Sequence, residues 1–276
     1  MQSETDDDAK TLGTGGTRAD LEALREQVRL LSRQVELERE KTFALSELLI
    51  RSAGTGIVPA GSPEALIAPI EYVDGDDKSP IFVFGGMAMG VSMPVAEFRR
   101  FLSGQDRKIF FIKDFSQSWY QFGLVGLSRG VEETATLLRT LVPRRAKEVS
   151  VIGTSAGGFA AILFGSLLGA RRIVAFAPQT VLSPPVVRRF KSHDTRVKRV
   201  LEEGSHRDLL PVVAAHPGPE ITIHVGADNR VDLAAAKHLA KARGVRVERH
   251  PCATHAIAAW MRDNGRLEEA LKPVLG

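Results

Sequence analysis

Residues 148–168 constrain the fold of this chain more than any other stretch. A short run, Glu148-Val149-Ser150-Val151-Ile152, leads into Gly153-Thr154-Ser155-Ala156-Gly157-Gly158, then into an almost wholly apolar segment from Phe159 to Leu168. The pattern predicts a strand, a sharp turn and a buried helix, with a serine at the apex. Small residues at 153 and 157 let strand and helix approach closely. The turn lifts the serine hydroxyl above a sheet edge. It also sets the Ala156 amide and a helix N-terminus beside it, where negative charge is stabilised. Such a string also arises in glycine-rich turns with a capping serine, so its context has to decide.

That context is an alternation of short apolar strands with helices from about residue 65 to the end. Strands are expected at 67–73, 81–84, 108–113, 148–153, 172–177, 221–225 and 245–250. Helices are expected at 94–103, 128–142, 155–169, 232–243 and 256–273, the last broken near Asn264-Gly265. Alternation of this kind predicts an α/β fold, a mostly parallel sheet covered on both faces by helices. Functional residues then gather at the carboxyl ends of the strands. Residues 183–216 interrupt the rhythm with Ser183-Pro184-Pro185 and a basic stretch. They read as a lid or as an elongated helical crossover.

The region before residue 65 is different. Residues 1–17 are polar and glycine-rich and read as a disordered tail. Over 18–50, Leu21, Leu24, Val28, Leu31, Val35, Leu45 and Leu49 keep a 3-4 spacing, with Glu38 and Thr42 in the remaining seam positions. A seam of about four heptads predicts a coiled-coil helix and a homo-oligomer; a helix folded back on the domain is the alternative. Residues 51–64, rich in glycine and proline, read as a linker to the domain at 65–276.

Composition narrows the class. At 276 residues, 43% hydrophobic and 25% charged, the chain has the make-up of a globular protein. One cysteine, Cys252, permits no internal disulfide and no cysteine metal cluster. The acidic start MQSETDDDAK has no signal-peptide character, and no apolar stretch is long enough for a transmembrane segment. A cytoplasmic location is therefore expected. The net charge of +4 conceals a basic cluster of Arg188, Arg189, Lys191, Arg196, Lys198 and Arg199. It reads either as a contact for an anionic group or as a solvated helix face; no nucleic-acid motif accompanies it.

A serine nucleophile needs a base within reach and an acid to orient that base. The strand at 221–225 ends in Gly226-Ala227-Asp228-Asn229-Arg230-Val231-Asp232, and the strand at 245–250 runs into Pro251-Cys252-Ala253-Thr254-His255. His255 is the expected base, with His250 its nearest rival. Asp228 is the first choice of acid and Asp232 the second, since Asp232 also suits a helix N-cap. For the oxyanion hole, the amide of Ala156 pairs with one from the glycine-rich turn Gly85-Gly86-Met87-Ala88-Met89-Gly90, Met87 before Gly86. Asp114, Gln117, Trp119, Tyr120 and Gln179 follow neighbouring strands and read as a polar substrate pocket with an aromatic wall, or as loop packing.

On GTSAGG at 153–158, FGGMAMG at 84–90, GADNRVD at 226–232 and CATHA at 252–256, the chain from about 65 onward resembles the α/β-hydrolase superfamily. The serine turn then corresponds to the nucleophile elbow. With AFAPQT at 175–180 it also resembles hydrolase-like domains linked to bacterial surface-glycan or glycosyltransferase systems. The resemblance implies an acyl hydrolase of esterase or thioesterase type working through an acyl-serine. An acyltransferase on a glycan or carrier-bound substrate is one alternative, and a non-catalytic scaffold dimerised by the coiled coil is another. No metal or organic cofactor is expected, and the expected partner is a small-molecule or carrier-bound acyl substrate.

Overall fold

The computed structural model describes residues 18–53, 56–104, 106–184 and 195–275. The expected disordered tail at 1–17 lies outside them, as do residues 185–194 of the expected lid. The chain divides into two compact units, Met1–Leu45 and Ser46–Gly276.

The first unit carries most of one long helix, α1 (Arg18–Ala53). Its seam residues from Leu21 to Val35, and again Leu45, are between 50% and 59% exposed. Ion pairs within the helix, such as Lys41 with Glu38 at 2.9 Å, lie on its solvent-facing surface and add little stability.

The second unit is an eight-stranded sheet. Its strands are β1 (Ile57–Pro59), β2 (Ile70–Val73), β3 (Ile81–Phe84), β4 (Ile109–Ile112), β5 (Ser150–Thr154), β6 (Arg172–Phe176), β7 (Glu220–Gly226) and β8 (Val245–His250). The order is β1-β2-β4-β3-β5-β6-β7-β8. All neighbours are parallel except β2 and β4, which pair antiparallel from Ile70↔Ile112 to Val73↔Ile109. Strands β3, β4 and β5 are buried along their whole length, as apolar runs in a sheet covered on both faces must be. β1 corrects the reading of 51–64 as linker: Ile57–Pro59 pairs with β2 and belongs to the sheet edge.

The helices are α2 (Val95–Leu102), α3 (Val131–Leu141), α4 (Ala156–Leu168), α5 (Thr195–Glu203), α6 (Leu209–Ala215), α7 (Arg230–Leu239), α8 (Ile257–Asp263) and α9 (Leu267–Leu275). The expected break at Asn264-Gly265 separates α8 from α9. α4 is buried from Ala156 to Ser166, and such a helix has to be apolar on every side. It packs under β3, β5 and β6, and this fixes the turn at its N-terminus. α6 does not behave as part of a lid: Leu209, Val212 and Val213 are buried in the main core, and Leu209 N donates to Thr180 O at 3.0 Å. No described helix is long and apolar enough to cross a membrane.

Candidate active site

The turn between β5 and α4 is held from three sides. Ser155 sits at φ 53°, ψ −119°, a conformation that L-residues avoid. Its amide donates to Phe176 O of β6 at 2.8 Å, and its carbonyl accepts from Phe159 N at 3.0 Å. At Gly157 a Cβ would collide with the carbonyls of Phe84 and Gly85, so only glycine lets α4 come this close to the end of β3. The strained serine is thus imposed by the sheet beside it and the helix behind it.

Ser155 Oγ lies 2.9 Å from His255 Nε2, and His255 Nδ1 lies 2.8 Å from Asp232 Oδ2. A carboxylate only accepts, so Nδ1 carries the proton and Nε2 is left to accept from the serine hydroxyl. The Asp232 side chain is 4% exposed and that of His255 38%. The acid is therefore sealed in, while the imidazole edge meets solvent at the site mouth.

Asp232, not Asp228, reaches the histidine. The expectation assigned the helix cap to Asp232. The cap is instead Asn229, whose side chain accepts from Asp232 N at 3.2 Å. The Asp232 carboxylate turns toward His255 from the first turn of α7. Asp228 is exposed in the turn after β7, its amide spent on Cys252 O at 3.1 Å. His250, the rival base, points elsewhere: its Nε2 lies 3.0 Å from His224 Nδ1. Burial pulls the His224 pKa down to about 3, with smaller contributions from His250 and Arg246, and burial lowers that of His250 as well.

The turn after β3 faces the elbow. A Cβ on Gly86 would stand 3.2 Å from Thr154 O and 3.6 Å from Ser155 Cβ. Gly86 itself is excluded as an oxyanion donor, because its N–H already bonds Gly90 O at 2.8 Å. The Met87 amide has no acceptor among the described residues. The peptide that carries it is held through Gly86 O, which accepts from Met89 N at 2.7 Å, and the following peptide is held where Gln117 Nε2 donates to Met87 O at 2.7 Å. Arg196 of α5 in turn donates to Gln117 Oε1. Ala156 supplies the first amide of α4, which has no acceptor within the helix.

The expected aromatic wall is corrected. Trp119 and Tyr120 are both fully buried and form the floor beneath the site. Residues 117, 119 and 120 take positive φ, which tucks the loop inward. Asp114 holds it there: its Oδ2 accepts from Ser118 N at 2.7 Å and Tyr120 N at 2.8 Å, while burial raises its pKa. The Tyr120 hydroxyl bonds Gly85 O at 2.8 Å and Ile112 O at 2.9 Å. Gln179 does reach the centre, with its Nε2 at 3.1 Å from Ser155 Oγ and its Oε1 accepting from Trp119 Nε1 at 3.0 Å. Of the basic cluster, Lys198 and Arg199 pair with Glu202 and Glu203 along α5, whereas Arg188, Arg189 and Lys191 lie outside the described residues.

No family model matches the chain, and no curated protein matches it in sequence. Solved structures do match in three dimensions. S-formylglutathione hydrolase from Staphylococcus aureus is 12% identical over 74% of this chain and 85% of its own, with a TM-score of 0.55. The chain has the α/β-hydrolase fold. Fluorophosphonate-binding serine hydrolase F of S. aureus covers the same shares of the two chains at 14% identity, with a TM-score of 0.53. A structure from work on the metagenome-derived lipolytic enzymes LipS and LipT matches at 11% identity over 79% of this chain and 98% of its own, also with a TM-score of 0.53. In this α/β-hydrolase fold Ser155 occupies the strand-to-helix turn at the carboxyl end of β5, beside β3, from which the sheet order runs one way to β4 and the other way to β5.

Proposed function

We propose that this protein is a serine-dependent acyl hydrolase or acyltransferase working through an acyl-Ser155 intermediate. The observation that carries the reading is the unbroken relay Asp232–His255–Ser155, with both contacts inside 3 Å and the serine in a strained turn. In this reading His255 Nε2 takes the Ser155 proton as Oγ attacks the substrate carbonyl carbon. Asp232 stabilises the imidazolium that results. The Met87 and Ala156 amides stabilise the tetrahedral oxyanion, aided by the N-terminus of α4. His255 then protonates the leaving group, and water or an acceptor hydroxyl attacks the acyl-enzyme by the same proton route in reverse.

The test is fluorophosphonate labelling of the purified protein, read by intact mass, beside Ser155→Ala and His255→Ala. An adduct on the parent that is lost from both variants is the expected result. A folded parent that stays unlabelled under conditions that label a serine esterase control would remove the reading, leaving a hydrolase-fold scaffold.

The exposed seam of α1 favours one addition. An apolar stripe of this length, repeated on a coiled-coil spacing, is buried by pairing with a second copy of the same helix. On this reading the protein is a homo-oligomer through α1.

A further inference from the structure

The acyl-serine reading leaves open what leaves Ser155 and what arrives there. We propose that Gln179 sets this, selecting oxygen nucleophiles and oxygen leaving groups over amines; the inference rests on that reading. Three features of the residue carry the argument.

First, its orientation is fixed. The indole N–H of Trp119 is a donor with no acceptor capacity, and it lies 3.0 Å from Gln179 Oε1. The carbonyl end of the amide is thereby tied to the floor, and the NH2 end is presented to the site. Second, the presented group is immobile. Gln179 is 5% exposed, Trp119 is fully buried, and the loop carrying Trp119 is clamped by Asp114. Third, the NH2 stands over the reacting atoms. Its nitrogen is 3.1 Å from Ser155 Oγ and 3.4 Å from His255 Nε2. The atom that leaves or attacks the acyl carbon must itself lie next to both, because it exchanges its proton with His255 Nε2.

The consequence follows from counting lone pairs. When an alcohol or water attacks the acyl-enzyme, one oxygen lone pair forms the new C–O bond and the O–H proton passes to His255 Nε2. The second lone pair remains to accept from the Gln179 NH2. The tetrahedral intermediate then collapses with cleavage of the bond from carbon to Ser155 Oγ, which recovers the proton from His255. An amine has one lone pair and spends it on the carbonyl carbon. Until its proton has passed to His255 Nε2, the attacking nitrogen offers the Gln179 donor no lone pair, whereas an attacking oxygen keeps one throughout. The sulfur of a leaving thiol, protonated by His255, accepts only weakly. The site is therefore matched to oxygen esters in both half-reactions.

The experiment uses the full chain, acylated with p-nitrophenyl acetate in the presence of propargyl alcohol and propargylamine at equal concentrations of hydroxyl and free amine. The ester-to-amide product ratio is read by mass spectrometry. Gln179→Met keeps the volume and removes the donor; the ratio is expected to fall roughly 3- to 10-fold, the effect of one neutral hydrogen bond. Trp119→Phe releases the amide without touching the reacting atoms and is expected to move the ratio the same way. It decides the matter if the Met variant does not fold, since a general loss of activity does not change the product ratio once the amide formed without enzyme is subtracted. An unchanged ratio in the folded variants overturns the assignment of Gln179 alone. A folded parent that neither labels with fluorophosphonate nor releases nitrophenolate overturns the acyl-serine reading, and this inference with it.

Discussion

Asp232 and His255 stand 23 residues apart in sequence and meet at 2.8 Å, one from the first turn of α7 and the other from the loop after β8. The contact depends on Asn229 holding the helix cap. Asp232→Asn keeps the shape but offers His255 no negative charge, and it permits the wrong tautomer. Turnover of p-nitrophenyl acetate is expected to drop by about 10⁴-fold. Asp228→Asn, at an exposed turn position, is expected to stay within about twofold. Steady-state kinetics on the two variants separates these carboxylates, and equal losses would reject the assignment.

Gln117 holds the peptide between Met87 and Ala88 by donating to Met87 O. Gln117→Ala releases that peptide and, through Met87, loosens the proposed oxyanion donor next to it. A loss of about 10-fold or more in kcat with little change in KM is expected, somewhat below the loss for a deleted oxyanion donor. A change confined to KM would mean that Gln117 serves substrate binding instead.

The His224–His250 pair predicts acid sensitivity. The His224 pKa falls from 6.5 unfolded to about 3 folded. Between those values the unfolded chain binds the extra proton, so stability is complete above pH 6.5 and is lost as the pH falls toward 3. The slope from this one group is about 1.4 kcal/mol per pH unit. His250, lowered in the same direction, adds to it. Urea unfolding at pH 7 and pH 5 should show the loss, and His224→Leu should reduce its steepness by one proton's worth. An identical slope in the variant would assign the acid sensitivity to other groups.

Tyr120→Phe tests the floor of the site. The Gly85 carbonyl loses the hydroxyl that bonds it, whereas Ile112 O keeps the Gly85 amide at 2.9 Å. A cost of about 1–3 kcal/mol in unfolding free energy is expected, the usual penalty for a buried polar group left without its partner. The change should appear in the urea midpoint at unchanged m-value.

Charge on the α1 seam tests pairing. Val28→Asp with Leu31→Asp places acidic groups in adjacent seam layers, and sedimentation analysis should show the oligomer converted to monomer. Fluorophosphonate labelling should be unaffected. A parent that is monomeric at tens of micromolar would refute pairing through this helix.

Much of this arrangement could be read in the sequence, because the apolar runs from Ile81 to Phe84 and from Val149 to Ile152 leave little freedom in a sheet covered on both faces. The serine turn was equally plain, since GTSAGG joins such a strand to a helix with no polar side. What was hidden depends on competition between neighbours. Asn229 and Asp232 are both good caps, and only the helix start decides which one is released. Trp119 and Tyr120 follow a strand as pocket residues would, but the positive φ values at 117, 119 and 120 turn them under the sheet edge. β1 escaped notice because Ile57-Val58-Pro59 is three residues long among glycines. The antiparallel sense of β2 is a matter of how the chain crosses the sheet, which side-chain pattern does not record.

The backbone at Ser155 sets the stability of this protein against its chemistry. At φ 53°, ψ −119°, glycine would rest without strain where serine does not. Ser155→Gly would therefore give a firmer fold with no nucleophile. Selection of variants by heat resistance alone would drift toward glycine at this position, while selection for turnover would hold the strained serine in place.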